Sequence, residues 1–81
     1  MKLWIGNIAP DTSDDELRDF VKKYAPALEC GAIERVEGAG NRPAAMLHFP
    51  EANREALDNL RQRLNGMYWN SRALVCTIYM F

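Results

Sequence analysis

The sequence has almost no excess charge of either sign: ten basic and eleven acidic side chains leave a formal −1 over 81 residues. This excludes a strongly basic surface that would hold any polyanion without selectivity, although a local face can still differ from the total. Cysteine is equally scarce. Cys30 and Cys76 lack metal-site spacing and are too few for a disulfide scaffold, so two free thiols in a reducing compartment, the cytoplasm, are expected. No stretch approaches the roughly 18 uninterrupted apolar residues of a membrane span, and the apolar run from Met1 to Ile8 is too short for a secretory signal. Gly/Ser linkers, low-complexity tracts and internal repeats are also missing, and apolar residues reach both ends, so residues 1–81 read as one domain trimmed to its fold.

Catalytic signals are missing too. There is one histidine, His48, and no carboxylate cluster beside it, so no metal is expected. Gly38-Ala39-Gly40 lacks the lysine and hydroxyl of a phosphate loop, and neither cysteine has a base near it in sequence. The acidic stretch from Asp11 to Asp19 suits helix capping and solvation. A non-enzymatic chain without cofactor is the expectation.

What is present is a clear order of elements. Residues 2–8 alternate about Leu3 and Ile5 and stop at Pro10 and Asp11, as a strand does. Ser13 with Glu16 forms a capping box, and Leu17, Phe20, Val21 and Tyr24 recur on one face, predicting a helix that ends near Ala25 and Pro26 with Phe20 and Tyr24 in the core. Ala32 to Glu37 reads as a second strand with Val36 inward and Arg35 and Glu37 outward, followed by a turn at Gly38 to Asn41. Ala44 to Phe49 sends Ala45, Leu47 and Phe49 inward and Ala44, Met46 and His48 to the other side. A second helix is expected from Glu51 to Leu64, with Ala56, Leu57, Leu60 and Leu64 on its apolar stripe and Asn65-Gly66 as its stop. Tyr68 and Trp69 then close one end of the core and lead through Asn70-Ser71 into a last strand, Ala73 to Tyr79.

The order is βαββαβ, an α+β, ferredoxin-like sandwich with a four-stranded antiparallel sheet and two helices on one face. Two helices cover only one side of such a sheet. The other side is left for solvent or a partner.

At this point the chain resembles the RNA recognition motif family. Leu3-Trp4-Ile5-Gly6-Asn7-Ile8 fits the family's six-residue motif of the first strand without mismatch. Arg42-Pro43-Ala44-Ala45-Met46-Leu47-His48-Phe49 resembles the eight-residue motif of the third strand in its leading basic residue, small fourth residue and closing aromatic. It departs in having Pro43 for the usual glycine and Ala44 and Met46 for the usual outward aromatics. The likeness extends over nearly the whole chain: Ser13 to Val21 is similar to the family's first helix, Leu64-Asn65-Gly66 to the end of its second, and Arg72 to Cys76 to the entry of its last strand.

The resemblance implies a surface for single-stranded RNA, on which outward aromatics stack splayed bases. Alternation places Trp4, Ala44, Met46 and His48 on that face, with Val75, Thr77 and Tyr79 from the last strand and Arg35 from the second. Trp4 leads as a stacking platform and Tyr79 is a second. Arg42 is similar to the family's phosphate-pairing residue or is an ordinary solvated arginine, while Lys2, Arg35 and Arg72 add positive potential that Glu34 and Glu37 partly cancel. Asn7 is expected to tie down the loop after the first strand. Met46 offers a polarisable contact without a π face, so weak or context-dependent binding is expected. A protein-interaction or homodimerisation module using the same apolar face is the competing reading, and no membrane role is expected.

Overall fold

The computed structural model describes residues 1–36 and 43–79. The strands are β1 (Lys2–Gly6), β2 (Ile33–Val36), β3 (Ala44–His48), β4 (Tyr68–Trp69), β5 (Arg72–Ala73) and β6 (Val75–Tyr79), and the helices are α1 (Asp14–Tyr24) and α2 (Arg54–Leu64). The main sheet runs β2-β3-β1-β6 with every neighbour antiparallel, while β4 and β5 pair separately as a small hairpin. This is the expected α+β, ferredoxin-like sandwich, with a hairpin added before the last strand.

Both helices start where a side chain replaces a missing backbone partner. Ser13 Oγ accepts from the Glu16 amide at 3.1 Å, and the Glu16 carboxylate accepts in return from the Ser13 amide at 3.3 Å. These bonds satisfy two orphan donors, and Asp14, Asp15 and Glu16 favour the positive end of the helix. α2 starts three residues later than its apolar pattern suggests. Phe49 to Ala52 closes a turn around Pro50, and Asn53 Oδ1 then caps the Ala56 amide at 2.8 Å, so the helix starts at Arg54 rather than Glu51.

The core lies between the sheet and the helices. Leu3, Ile5, Ala45, Leu47 and Cys76 from the strands meet Leu17, Phe20 and Val21 of α1 and Leu57, Leu60 and Leu64 of α2, with Phe49 fully buried. Tyr24 is only half-buried. It meets the Phe20 ring edge-on with centroids 5.3 Å apart.

The segment after α2 departs most from its sequence pattern. Asn70 and Ser71 both have positive φ, 51° and 67°, the geometry of a two-residue hairpin loop whose twist matches its strands. Ala73 therefore pairs with Tyr68 instead of continuing into the last strand, Leu74 turns into the core, and β6 begins at Val75. Adjacent residues of a strand point opposite ways, so Trp69 packs on the core while Tyr68 is 77% exposed rather than closing it.

Candidate nucleic-acid interface

Residues directly opposite in an antiparallel ladder share a face, so the register fixes the uncovered side of the sheet. One row across it reads Tyr79, Lys2, His48; the next reads Thr77, Trp4, Met46, Glu34. Val75 lies opposite Gly6 and Val36 opposite Ala44 in the third row. Trp4, on β1, one of the two inner strands, is thus flanked by Met46 of β3 and Thr77 of β6.

Gly6 shapes this centre. A Cβ at this position would overlap the six-membered ring of Trp4, so the indole lies along the strand over the glycine. A ring held flat and half-buried presents its other π face outward at little further entropic cost. The direction of the neighbouring indole is what reveals the constraint at position 6.

Most expected contact residues are brought together here. Lys2, Trp4, Met46 and His48 are half-buried on the open face, and Val75, Thr77 and Tyr79 are exposed beside them on β6. Ala44 is a correction. It lies on the open side but is 2% exposed, because a single methyl between Val36 and the indole-covered Gly6 position is too short to reach past its neighbours. Arg42, Glu37, the turn at Gly38 to Asn41 and the terminal Met80 and Phe81 lie outside the described residues.

Arg35 is the second correction, and Val36 moves with it. β2 is read with Val36 inward, but Ile33 pairs with Leu47 and Arg35 with Ala45, both on the helix side, which leaves Glu34 and Val36 on the open side. Apolar residues at positions 33 and 36 cannot share one face of a strand. The stronger burial opposite Leu47 decides the parity. Arg35 then reaches the start of α1, where its Nε donates to Asp14 at 2.8 Å and Nη2 donates to the Thr12 carbonyl at 2.6 Å. Replacing Arg35 with alanine is expected to cost about 1 kcal/mol of stability, given the exposure of the pair, and to leave RNA affinity unchanged within twofold. Thermal unfolding beside an RNA titration checks both.

Glu34 is the face residue that the sequence pattern does not bring forward. Its carboxylate lies 3.1 Å from His48 Nε2, placing an acceptor beside Met46. Taking Ile33 as the inward residue would have revealed it. Asn7, with φ of 60°, points its amide to the Ala73 carbonyl at 2.9 Å and accepts from Arg72 at 3.4 Å. Its structural role holds, with β5 as the anchor, and Arg72 is drawn to that end.

Both thiols are free. Burial pushes the Cys76 thiol up to about 12, and burial also raises Cys30, against a smaller lowering by Arg18. The folded protein therefore keeps the Cys76 proton where the unfolded chain, near 9.0, releases it. The resulting stability is complete below pH 9.0 and disappears as pH rises toward 12. Alkylation in native buffer at pH 8 is expected to label Cys30 first and Cys76 only after denaturant is added, read by intact mass. Among the described residues no cluster of three His, Cys, Asp or Glu side chains is placed to hold a metal, and no helix is long and apolar enough to cross a membrane.

A family model described as RNA recognition motif matches residues 3–75. No curated protein matches significantly. Among solved structures, the chain is similar to the RRM3 domain of Pes4, with 16% identity over 99% of this chain and 92% of that one and a TM-score of 0.78. It is also similar to the Rna15 RRM with bound RNA (GU), with 18% identity, coverage of 96% and 81%, and a TM-score of 0.73. The Plasmodium falciparum SR1-RRM1 in complex with ACAUCA RNA gives 17% identity, coverage of 94% and 80%, and a TM-score of 0.62. At these identities the likeness is one of fold.

Proposed function

The chain belongs to the RNA recognition motif family, an RNA-binding module, and from that premise we propose that its open sheet face binds single-stranded RNA through Trp4, Met46 and Tyr79. The carrying observation is the Trp4 indole laid over Gly6 at the centre of that face. We read Leu3 to Ile8 as the six-residue motif and Arg42 to Phe49 as a degraded eight-residue motif. With Ala44 screened and Met46 in place of an aromatic, the ring that β3 offers is the His48 imidazole, engaged edge-on by Glu34, and the second stacking platform comes from β6 as Tyr79, 37% exposed. His48 and Glu34 offer polar groups to base edges, Thr77 and Val75 complete the β6 side, and Lys2 and Arg42 meet phosphates.

Two stacked bases and two phosphate partners make a small site. For single strands each neutralised phosphate contributes about 0.7 to the salt slope, so two give a slope of about −1.4 in log K against log salt. This reading is non-enzymatic, and the two free thiols support a reducing compartment, the cytoplasm.

The test is an NMR titration with short randomised RNA, single-stranded DNA for comparison, and a dilution series without ligand. Shifts at Trp4, Met46, His48, Thr77 and Tyr79 on adding RNA, weakening with salt, are the expected result. Shifts of the same residues on self-dilution with none on adding RNA would replace this reading with homodimerisation.

A further inference from the structure

A second surface lies on the helix side, away from the RNA face. Trp69 stacks flat on Phe20, with centroids 4.2 Å apart and planes 15° from parallel, and Phe20 meets Tyr24 edge-on. Tyr68, next in the β4–β5 hairpin, projects into solvent at 77% exposure. Together these residues line an open notch of about 370 Å³ with Glu16, Asp19 and Lys23 of α1. The hairpin is held by its tight two-residue loop and by the Trp69 stack, so Tyr68 stands on a fixed base.

The notch has a definite charge pattern. Of the lining carboxylates, Glu16 and Asp19 are exposed on α1, with Asp15 on the helix outside the notch, and the Asp19 side chain has no hydrogen bond or ion pair among the described residues. The capping box occupies only one oxygen of Glu16, Oε1. Lys23 lies at the other end, its ammonium 5.7 Å from the centroid of Tyr24. An unpaired carboxylate beside an outward phenol ring suits a planar cation, which forks onto the carboxylate while its face stacks on the ring. The same carboxylates repel a phosphate backbone, so this surface and the RNA face are separated by charge.

We propose that the notch between α1 and the β4–β5 hairpin docks an arginine-bearing, extended segment of a protein partner, with the guanidinium held between Tyr68 and Asp19. The space admits one or two side chains, so the contact is weak alone and gains from RNA bound to the same molecule on the opposite face. Arginine is favoured over lysine because an ammonium is a compact, strongly hydrated charge without a face to stack.

The probe is the peptide acetyl-Gly-Arg-Leu-Arg-Gly-amide, with versions carrying lysine or glutamate in place of arginine, titrated into the whole chain and followed by NMR. Expected are shifts at Glu16, Asp19, Phe20, Tyr68 and the Trp69 indole N–H, with binding at least threefold weaker for the lysine peptide and none for the glutamate peptide. Tyr68→Ala is expected to weaken arginine-peptide binding at least fivefold and Asp19→Asn two- to threefold, with RNA binding unchanged in both. Equal binding of the lysine peptide, insensitivity to Tyr68→Ala, or no shift in the notch would overturn the proposal. Notch shifts produced by self-dilution or by RNA, in place of the arginine peptide, would also overturn it, assigning the surface to a second copy or to nucleic acid.

Discussion

Replacing Trp4 with alanine is expected to lower the affinity for single-stranded RNA by about 5- to 150-fold, the equivalent of the roughly 1–3 kcal/mol that one base-stacking side chain contributes. The loss is large because no other ring shares the centre of the face. Thr77 and Met46 flank Trp4, and neither offers a π surface. Trp4→Phe retains a smaller face and is expected to recover most of the affinity, whereas Trp4→Leu retains apolar area alone and is not. Fluorescence anisotropy with a short labelled RNA measures the series, and urea unfolding checks that each variant folds. Equal affinity of the alanine variant and the parent would show that the indole carries no base.

The largest effect on stability is expected at Phe49. Among the described residues its side chain is the largest of those fully buried, where β3 ends between the sheet and the helices. Phe49→Ala loses the transfer free energy of the ring and leaves a cavity, together about 3–5 kcal/mol. A domain of this length has roughly 4–12 kcal/mol in total, so the variant is expected to be partly or wholly unfolded at 37 °C. Phe49→Leu keeps most of the volume and is expected to remain folded, with a lower urea midpoint. An unchanged midpoint for the alanine variant would mean that neighbouring chains collapse into the space. Because Phe49 is a core residue, its loss removes RNA binding through unfolding, in contrast to Trp4→Ala, which weakens binding by a folded domain.

Legibility in the sequence differs with the range of the force involved. The capping box at Ser13 and Glu16 is complete within four residues, and the structure contains it as read. The alternation in β1 and β3 is equally plain because each has several apolar residues with a period of two, so Trp4, Met46 and His48 fall on the expected side. β2 is short, and its apolar residues at 33 and 36 support opposite parities. Local pattern alone therefore sends Arg35 to the RNA face and Val36 to the core, and pairing with β3 reverses both. The β4–β5 hairpin is a similar case. Asn70-Ser71 is recognisable as a turn, but its positive-φ geometry is a weaker preference for serine than for glycine, and the run from Ala73 to Tyr79 looks continuous until Leu74 is seen turning inward.

The near-neutral charge acquires a distribution in the structure. The open face carries Lys2 and His48 with Glu34, while Asp15, Glu16 and Asp19 collect along the exposed side of α1. A total of −1 thus conceals two surfaces of different character, which is why composition excludes indiscriminate polyanion binding without excluding a local RNA site.

By itself, the sequence determined the βαββαβ order of the main elements, the side-chain cap at the entrance of α1, the core of β1, β3 and α1, and Trp4 as an outward ring, because each follows from interactions within a few residues or from a periodicity long enough to average out exceptions. Tertiary structure alone decided that Arg35 braces α1 rather than meeting RNA, that Ala44 is screened, that Glu34 stands beside His48, and that Tyr68 of the hairpin lines one notch with Asp19. Those outcomes depend on which residues pair across the sheet and which side chains reach past their neighbours. Pairing between distant strands is selected by burial of the whole layer, and a short strand with an ambiguous pattern accepts whichever parity its neighbour imposes.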